Sequence, residues 1–114
     1  MQLEIPFQEL ELGESHTFDY RQSGKLLDGF VIKHREGYSA YQNVCAHIPV
    51  ALDYDDGDFY SDTLGRIVCK THGATFRSED GFCDSGPCAG QNLIRFALEV
   101  TSDTFIVEIP DPNP

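Results

Sequence analysis

The stretch that decides the fold is Ile94-Arg95-Phe96-Ala97-Leu98-Glu99-Val100-Thr101-Ser102-Asp103-Thr104-Phe105-Ile106-Val107-Glu108-Ile109-Pro110. Ile94, Phe96, Leu98 and Val100 alternate with Arg95, Ala97 and Glu99, the two-residue period of a half-buried strand. Thr101-Ser102-Asp103 supplies turn chemistry, and Phe105, Val107 and Ile109 then alternate on a return strand. Pro110 withdraws a backbone donor and stops that strand, which leaves residues 110–114 as a tail.

Upstream, Gly29-Phe30-Val31-Ile32-Lys33 and Tyr38-Ser39-Ala40-Tyr41 are rich in β-branched and aromatic residues, and Arg35-Glu36-Gly37 between them predicts a hairpin turn. Thr17 to Tyr20 and Arg66 to Val68 add short strand candidates, and no stretch keeps a helical apolar period over three turns. The fold class is all-β, a small sandwich or barrel. From Pro49 to Leu64 the strand signals fade, and Asp53, Asp55, Asp56, Asp58 and Asp62 predict an exposed, solvated excursion. The spacing and terminal Glu of a calcium loop are missing from it.

A chain of 114 residues is expected to form one domain, 1–114. No apolar run is long enough to cross a bilayer, and Met1 to Pro6 lacks the features of an export signal, so the expected location is the cytoplasm. Nineteen Asp and Glu against eight Lys and Arg give a formal charge of −11, which repels phosphate backbones and anionic lipids and would steer a basic protein partner. Neither nucleic acid nor a membrane surface is an expected partner. Four cysteines in a reducing compartment turn attention from disulfides to metal.

Two pairs carry that reading: Cys45-Ala46-His47, and Cys69-Lys70-Thr71-His72 followed by Gly73. Each sets a soft thiolate beside an imidazole, and β-scaffolded loops could bring both pairs to one metal centre. Zinc takes the same donors, although structural zinc boxes usually run Cys-x₂₋₄-Cys and His-x₃₋₅-His.

Cys45-x-His47 and Cys69-x-x-His72-Gly73 resemble the two ligand boxes of the Rieske [2Fe–2S] domain family. The resemblance extends to Tyr38 through Val44 before the first box and to Gly81, Gly86, Pro87 and Leu93 after the second, covering Gly37 to Val100. It implies one [2Fe–2S] cluster per chain, with Cys45 and Cys69 on the inner iron and His47 and His72 on the outer, and a cluster-binding part of about 44–90. Neutral imidazoles in place of two thiolates remove negative charge, so an added electron costs less and the potential rises.

The departures from the family pattern are informative. Val50 and Thr71 stand where the Rieske proteins of quinol-oxidising respiratory complexes carry a disulfide. Ala74 and Phe76 stand where serine and tyrosine hydroxyls would be, which resembles the low-potential, ferredoxin-type branch. The 21 residues between His47 and Cys69 exceed the usual ferredoxin spacing.

The implied function is that of a one-electron carrier and not an enzyme, serving a reductase on one side and an oxygenase or related oxidoreductase on the other. Only a strand and a tail follow the Rieske part, so an oxygenase's mononuclear iron domain is not expected. An accessory subunit of an assimilatory nitrite-reductase-type enzyme and a zinc-stabilised interaction module are the alternatives. Cys83 and Cys88 enclose Asp84-Ser85-Gly86-Pro87, a tight loop expected close to the second ligand box; they match no ligand and are open between a buried thiol pair, a disulfide and a further metal or redox role. His16 and His34 are expected at the surface.

Overall fold

Phe105, Val107 and Ile109 are buried and Glu108 between them is exposed, as a strand with one wet face requires. On the preceding strand the alternation narrows. Phe96 is 2% exposed, whereas Ile94 and Val100, at the margins of that strand, are 53% and 43% exposed.

The computed structural model describes residues 1–46, 50–53, 58–71 and 73–110, so residues 111–114 of the expected tail lie outside the described residues. These form β1 (Gln2–Pro6), β2 (Ser15–Gln22), β3 (Lys25–His34), β4 (Gly37–Gln42), β5 (Tyr60–Ser61), β6 (Arg66–Val68), β7 (Thr75–Phe76), β8 (Cys83–Ser85), β9 (Arg95–Val100) and β10 (Thr104–Glu108). One sheet has six strands in the order β1-β10-β9-β4-β3-β2, and the other has four in the order β5-β6-β7-β8. The all-β reading is therefore the fold observed.

Both edge strands of the larger sheet feed one core. Ile5 of β1 and Phe18 and Tyr20 of β2 pack with Val31, Ala40, Phe96, Phe105 and Val107, so the sheet curls round its own interior like a barrel. The opposite face of β3 and β4 presents Phe30, Ile32 and Tyr41 to a second core shared with the smaller sheet. That two-sided burial explains why 30–32 reads as an unbroken apolar run and not as an alternation.

The excursion is not wholly exposed. Within it Leu52 and Asp53 are buried, and Phe59 stacks on Phe30 with ring centroids 3.9 Å apart. Asp58 and Asp62 are exposed, while Asp55 and Asp56 lie outside the described residues.

His34 is also a correction to the sequence reading, since it is only 5% exposed. Its Nδ1 accepts the Glu36 N–H at 3.1 Å, which leaves the proton on Nε2 to be donated to Ser39 Oγ at 2.8 Å. Ser39 Oγ in turn donates to the Glu79 carbonyl at 3.2 Å. Burial holds the His34 pKa below its ordinary value, against the opposing pull of Glu79 and Glu36. The unfolded chain therefore binds more protons near pH ~6.5 than the folded one, and the stability His34 contributes is present above that pH and lost as pH falls through it. The stability difference between the native protein and His34→Gln should shrink from about pH 7.5 to about pH 5.5 in denaturant titrations. A constant difference would contradict this.

Candidate metal centre

Asn43 leaves the end of β4 as a knot. Its N–H donates to the Asp28 carbonyl at 3.0 Å, and its Nδ2 donates to Asp28 Oδ2 at 2.9 Å and Asp53 Oδ1 at 3.1 Å. Its Oδ1 accepts the Leu52 N–H at 2.9 Å. One buried amide thus fixes both ends of the first thiol-bearing loop. Between them the Cys45 N–H donates to the Val50 carbonyl at 2.8 Å, and Cys45 is 3% exposed. Asn43→Ala removes three side-chain hydrogen bonds at once, and a loss of about 2–4 kcal/mol is expected in denaturant unfolding.

The second loop leaves β6 and returns on β7. The Cys69 N–H donates to the Ala74 carbonyl at 2.8 Å, the Gly73 N–H donates to the Cys69 carbonyl at 2.8 Å, and Cys69 is fully buried. The loops are stitched together where the Lys70 N–H donates to the Leu52 carbonyl at 2.9 Å. Lys70 Nζ also lies 3.7 Å from the exposed Asp58 Oδ2, a solvent-screened pair worth little.

The structure therefore brings Cys45 and Cys69 into one buried cluster, on two loops bonded to each other. His47 and His72 lie outside the described residues. Soft sulfur donors shielded from water on paired loops are what an iron–sulfur group takes, so the thiols fit such a cofactor. Ala74 and Phe76 beside them are fully buried and bring no hydroxyl. The Thr75 hydroxyl is committed to Asp84 Oδ1 at 2.7 Å.

Cys83 and Cys88 are free, buried thiols whose sulfurs stand 2.9 Å apart. Burial, the hydrogen bond to Cys83 and the nearby charges of Cys83 and Cys45 push the Cys88 thiol up to about 12. The turn between them reaches the second loop through Gly86, where φ is +102° and a Cβ would stand 2.6 Å from Ala74 Cα. This turn lies against the second ligand box, as expected from the sequence, whereas the Asn43 knot was missed. An Asn two residues before a box cysteine was the available signal for the knot.

The family model for the Rieske [2Fe-2S] domain matches residues 5–104. Among solved structures, a chain of the reduced complex between oxygenase and ferredoxin in carbazole 1,9a-dioxygenase is similar, with a TM-score of 0.74 and 21% identity, over 99% of this chain and 29% of that one. The terminal oxygenase of carbazole 1,9a-dioxygenase from Novosphingobium sp. KA1 gives a TM-score of 0.67 and 19% identity, over 99% and 31%. The ferredoxin of carbazole 1,9a-dioxygenase from Nocardioides aromaticivorans IC177 gives 0.62 and 21%, over 91% and 97%. This chain thus spans about three-tenths of the two longer chains and nearly the whole of the ferredoxin, and at these identities the likeness is one of fold. No curated protein sequence matches it. Because the family match takes in both thiol-bearing loops and the strands on either side of them, the chain belongs to the Rieske [2Fe–2S] domain family.

Proposed function

We propose that residues 1–114 form a single Rieske domain that carries one electron at a time from a reductase to an oxygenase or related oxidoreductase, with its [2Fe–2S] cluster held by Cys45, His47, Cys69 and His72. The observation that carries this reading is the burial of Cys45 and Cys69 on loops stitched by the Lys70 to Leu52 hydrogen bond. When bound, the cluster supplies reversible one-electron chemistry. The chain's own part is to hold the thiolates, keep water from them and fix the loops through Asn43.

Apolar Ala74 and Phe76 support the low-potential, ferredoxin-type branch, because no hydroxyl from those positions stabilises added negative charge. The proposed location is the cytoplasm. Cys83 and Cys88, held as thiols and not as a disulfide, suit a reducing compartment, and among the described residues no helix is long and apolar enough to cross a membrane.

A basic redox partner is favoured by the charge of −11 and by an open acidic recess lined by Glu11, Glu14, Asp58 and Asp62. The test is to reduce the protein, mix it with an oxidised Rieske oxygenase and follow its absorption by stopped flow. Reoxidation by one electron per chain is expected, slowing as salt rises because charges are screened within about 10 Å at 0.1 M. Asp58→Asn with Asp62→Asn should slow it several-fold at low salt and leave the spectrum unchanged. A reduced protein that passes no electron to such an acceptor would overturn the reading.

A further inference from the structure

Cys83 and Cys88 are bound by backbone as well as by contact. The Cys83 N–H donates to the Gln91 carbonyl at 2.7 Å, the Gly90 N–H donates to the Cys83 carbonyl at 2.9 Å, and the Gln91 N–H donates to the Cys88 carbonyl at 2.9 Å. The main chain therefore already faces the sulfurs toward each other. Bringing them from 2.9 Å to the disulfide length of about 2.05 Å needs only a small shift. Residues 84–87 between them are exposed, so a small reagent approaches the pair from the side of this turn.

The turn is also the lid of the second thiol-bearing loop. Gly86 packs on Ala74, and the Ala74 carbonyl accepts the Cys69 N–H at 2.8 Å. Whatever fixes or frees residues 83–88 is therefore two contacts from Cys69.

We propose that Cys83 and Cys88 are a reversible dithiol–disulfide site, closed by low-molecular-weight disulfides, whose closure clamps the turn on the Cys69 loop and slows cluster loss. In its effect on the cluster this rests on the function proposed above. One thiolate attacks a sulfur of glutathione disulfide, breaking that bond and releasing one glutathione. The second sulfur then attacks the mixed disulfide and releases the other glutathione. Two thiols have lost two protons and two electrons, and one glutathione disulfide has become two glutathiones. A site of this kind in a reducing compartment acts as a sensor and not as a permanent staple.

The experiment equilibrates the cluster-loaded full chain in glutathione buffers of graded oxidation, then divides the sample. One half is denatured, alkylated and mapped by mass spectrometry, and the other is mixed with an iron chelator while visible absorption is followed. The expected result is a peptide lighter by two hydrogens across Cys83 and Cys88 in oxidising buffer, reversed by excess reduced glutathione. Cluster loss should be several-fold slower in the oxidised sample, and in Cys88→Ser the two buffers should give equal rates.

Both cysteines alkylated in oxidising buffer, or a disulfide that leaves the native protein's loss rate unchanged, would overturn the proposal. The native protein alone supplies this comparison, so a variant that fails to fold does not remove the test. A chain that takes up no iron and sulfide would instead overturn the proposed function, while the mapping would still report whether the thiols pair.

Discussion

Replacing Cys69 by Ala is expected to abolish the cluster, leaving colourless protein without acid-labile sulfide, and Cys45→Ala should do the same. Both thiols are buried at 3% exposure or less on loops closed by their own N–H groups, and the two other thiols of the same core, Cys83 and Cys88, are turned sulfur to sulfur on a separate turn. Ligand binding is coupled to local folding, so these variants should also unfold at lower denaturant than the loaded native protein. Cys83→Ala and Cys88→Ala are the controls. Each truncates an equally buried thiol and should cost only about 1–2 kcal/mol while keeping the cluster. Iron analysis of the four variants checks this. A colourless Cys83→Ala, or a coloured Cys69→Ala with full iron, would show that the ligands are misassigned.

Gly86→Ala should have the next largest effect, and Gly90→Ala isolates its cause. Gly86 has φ of +102° and Gly90 has φ of +92°, so an L side chain is strained at both, at about 1–3 kcal/mol. Around Gly90 an added Cβ meets nothing within 4 Å, whereas at Gly86 it would stand 2.6 Å from Ala74 Cα, which is backbone and cannot rotate aside. The Ala74 segment must move, and with it the carbonyl that accepts the Cys69 N–H. Gly86→Ala is therefore expected to cost about 3–5 kcal/mol and to hasten cluster loss, against about 1–3 kcal/mol and an unchanged cluster for Gly90→Ala. Equal losses in the two variants would mean that the turn does not bear on the ligand loop.

The hairpin of β9 and β10 was legible because one of its faces meets water, and burial on only one side writes an alternation into the residues. The strand at 30–32 was legible for another reason, since β-branched and aromatic residues cluster where both faces are covered. The strands Tyr60–Ser61, Thr75–Phe76 and Cys83–Ser85 were not, because two or three residues cannot display a period. Gln2–Pro6 does alternate, but its short edge pattern gains meaning only once Ile5 is seen to meet the β10 side of the barrel core.

Cys45 and Cys69 stood out because box spacing is fixed by coordination chemistry and survives change elsewhere in a chain. His34 and Asp53 were misjudged as surface residues for a shared reason. A polar side chain is buried when the fold turns a partner toward it, here Ser39 across the β3–β4 hairpin and Asn43 across the first thiol-bearing loop, and composition does not record such pairings.

The most direct measurement is iron, zinc and acid-labile sulfide analysis of freshly purified protein, taken with its visible spectrum. About two iron and two sulfide per chain, with visible absorption that bleaches on one-electron reduction, is the expected result. Stoichiometric zinc without sulfide, in a colourless protein, would contradict it.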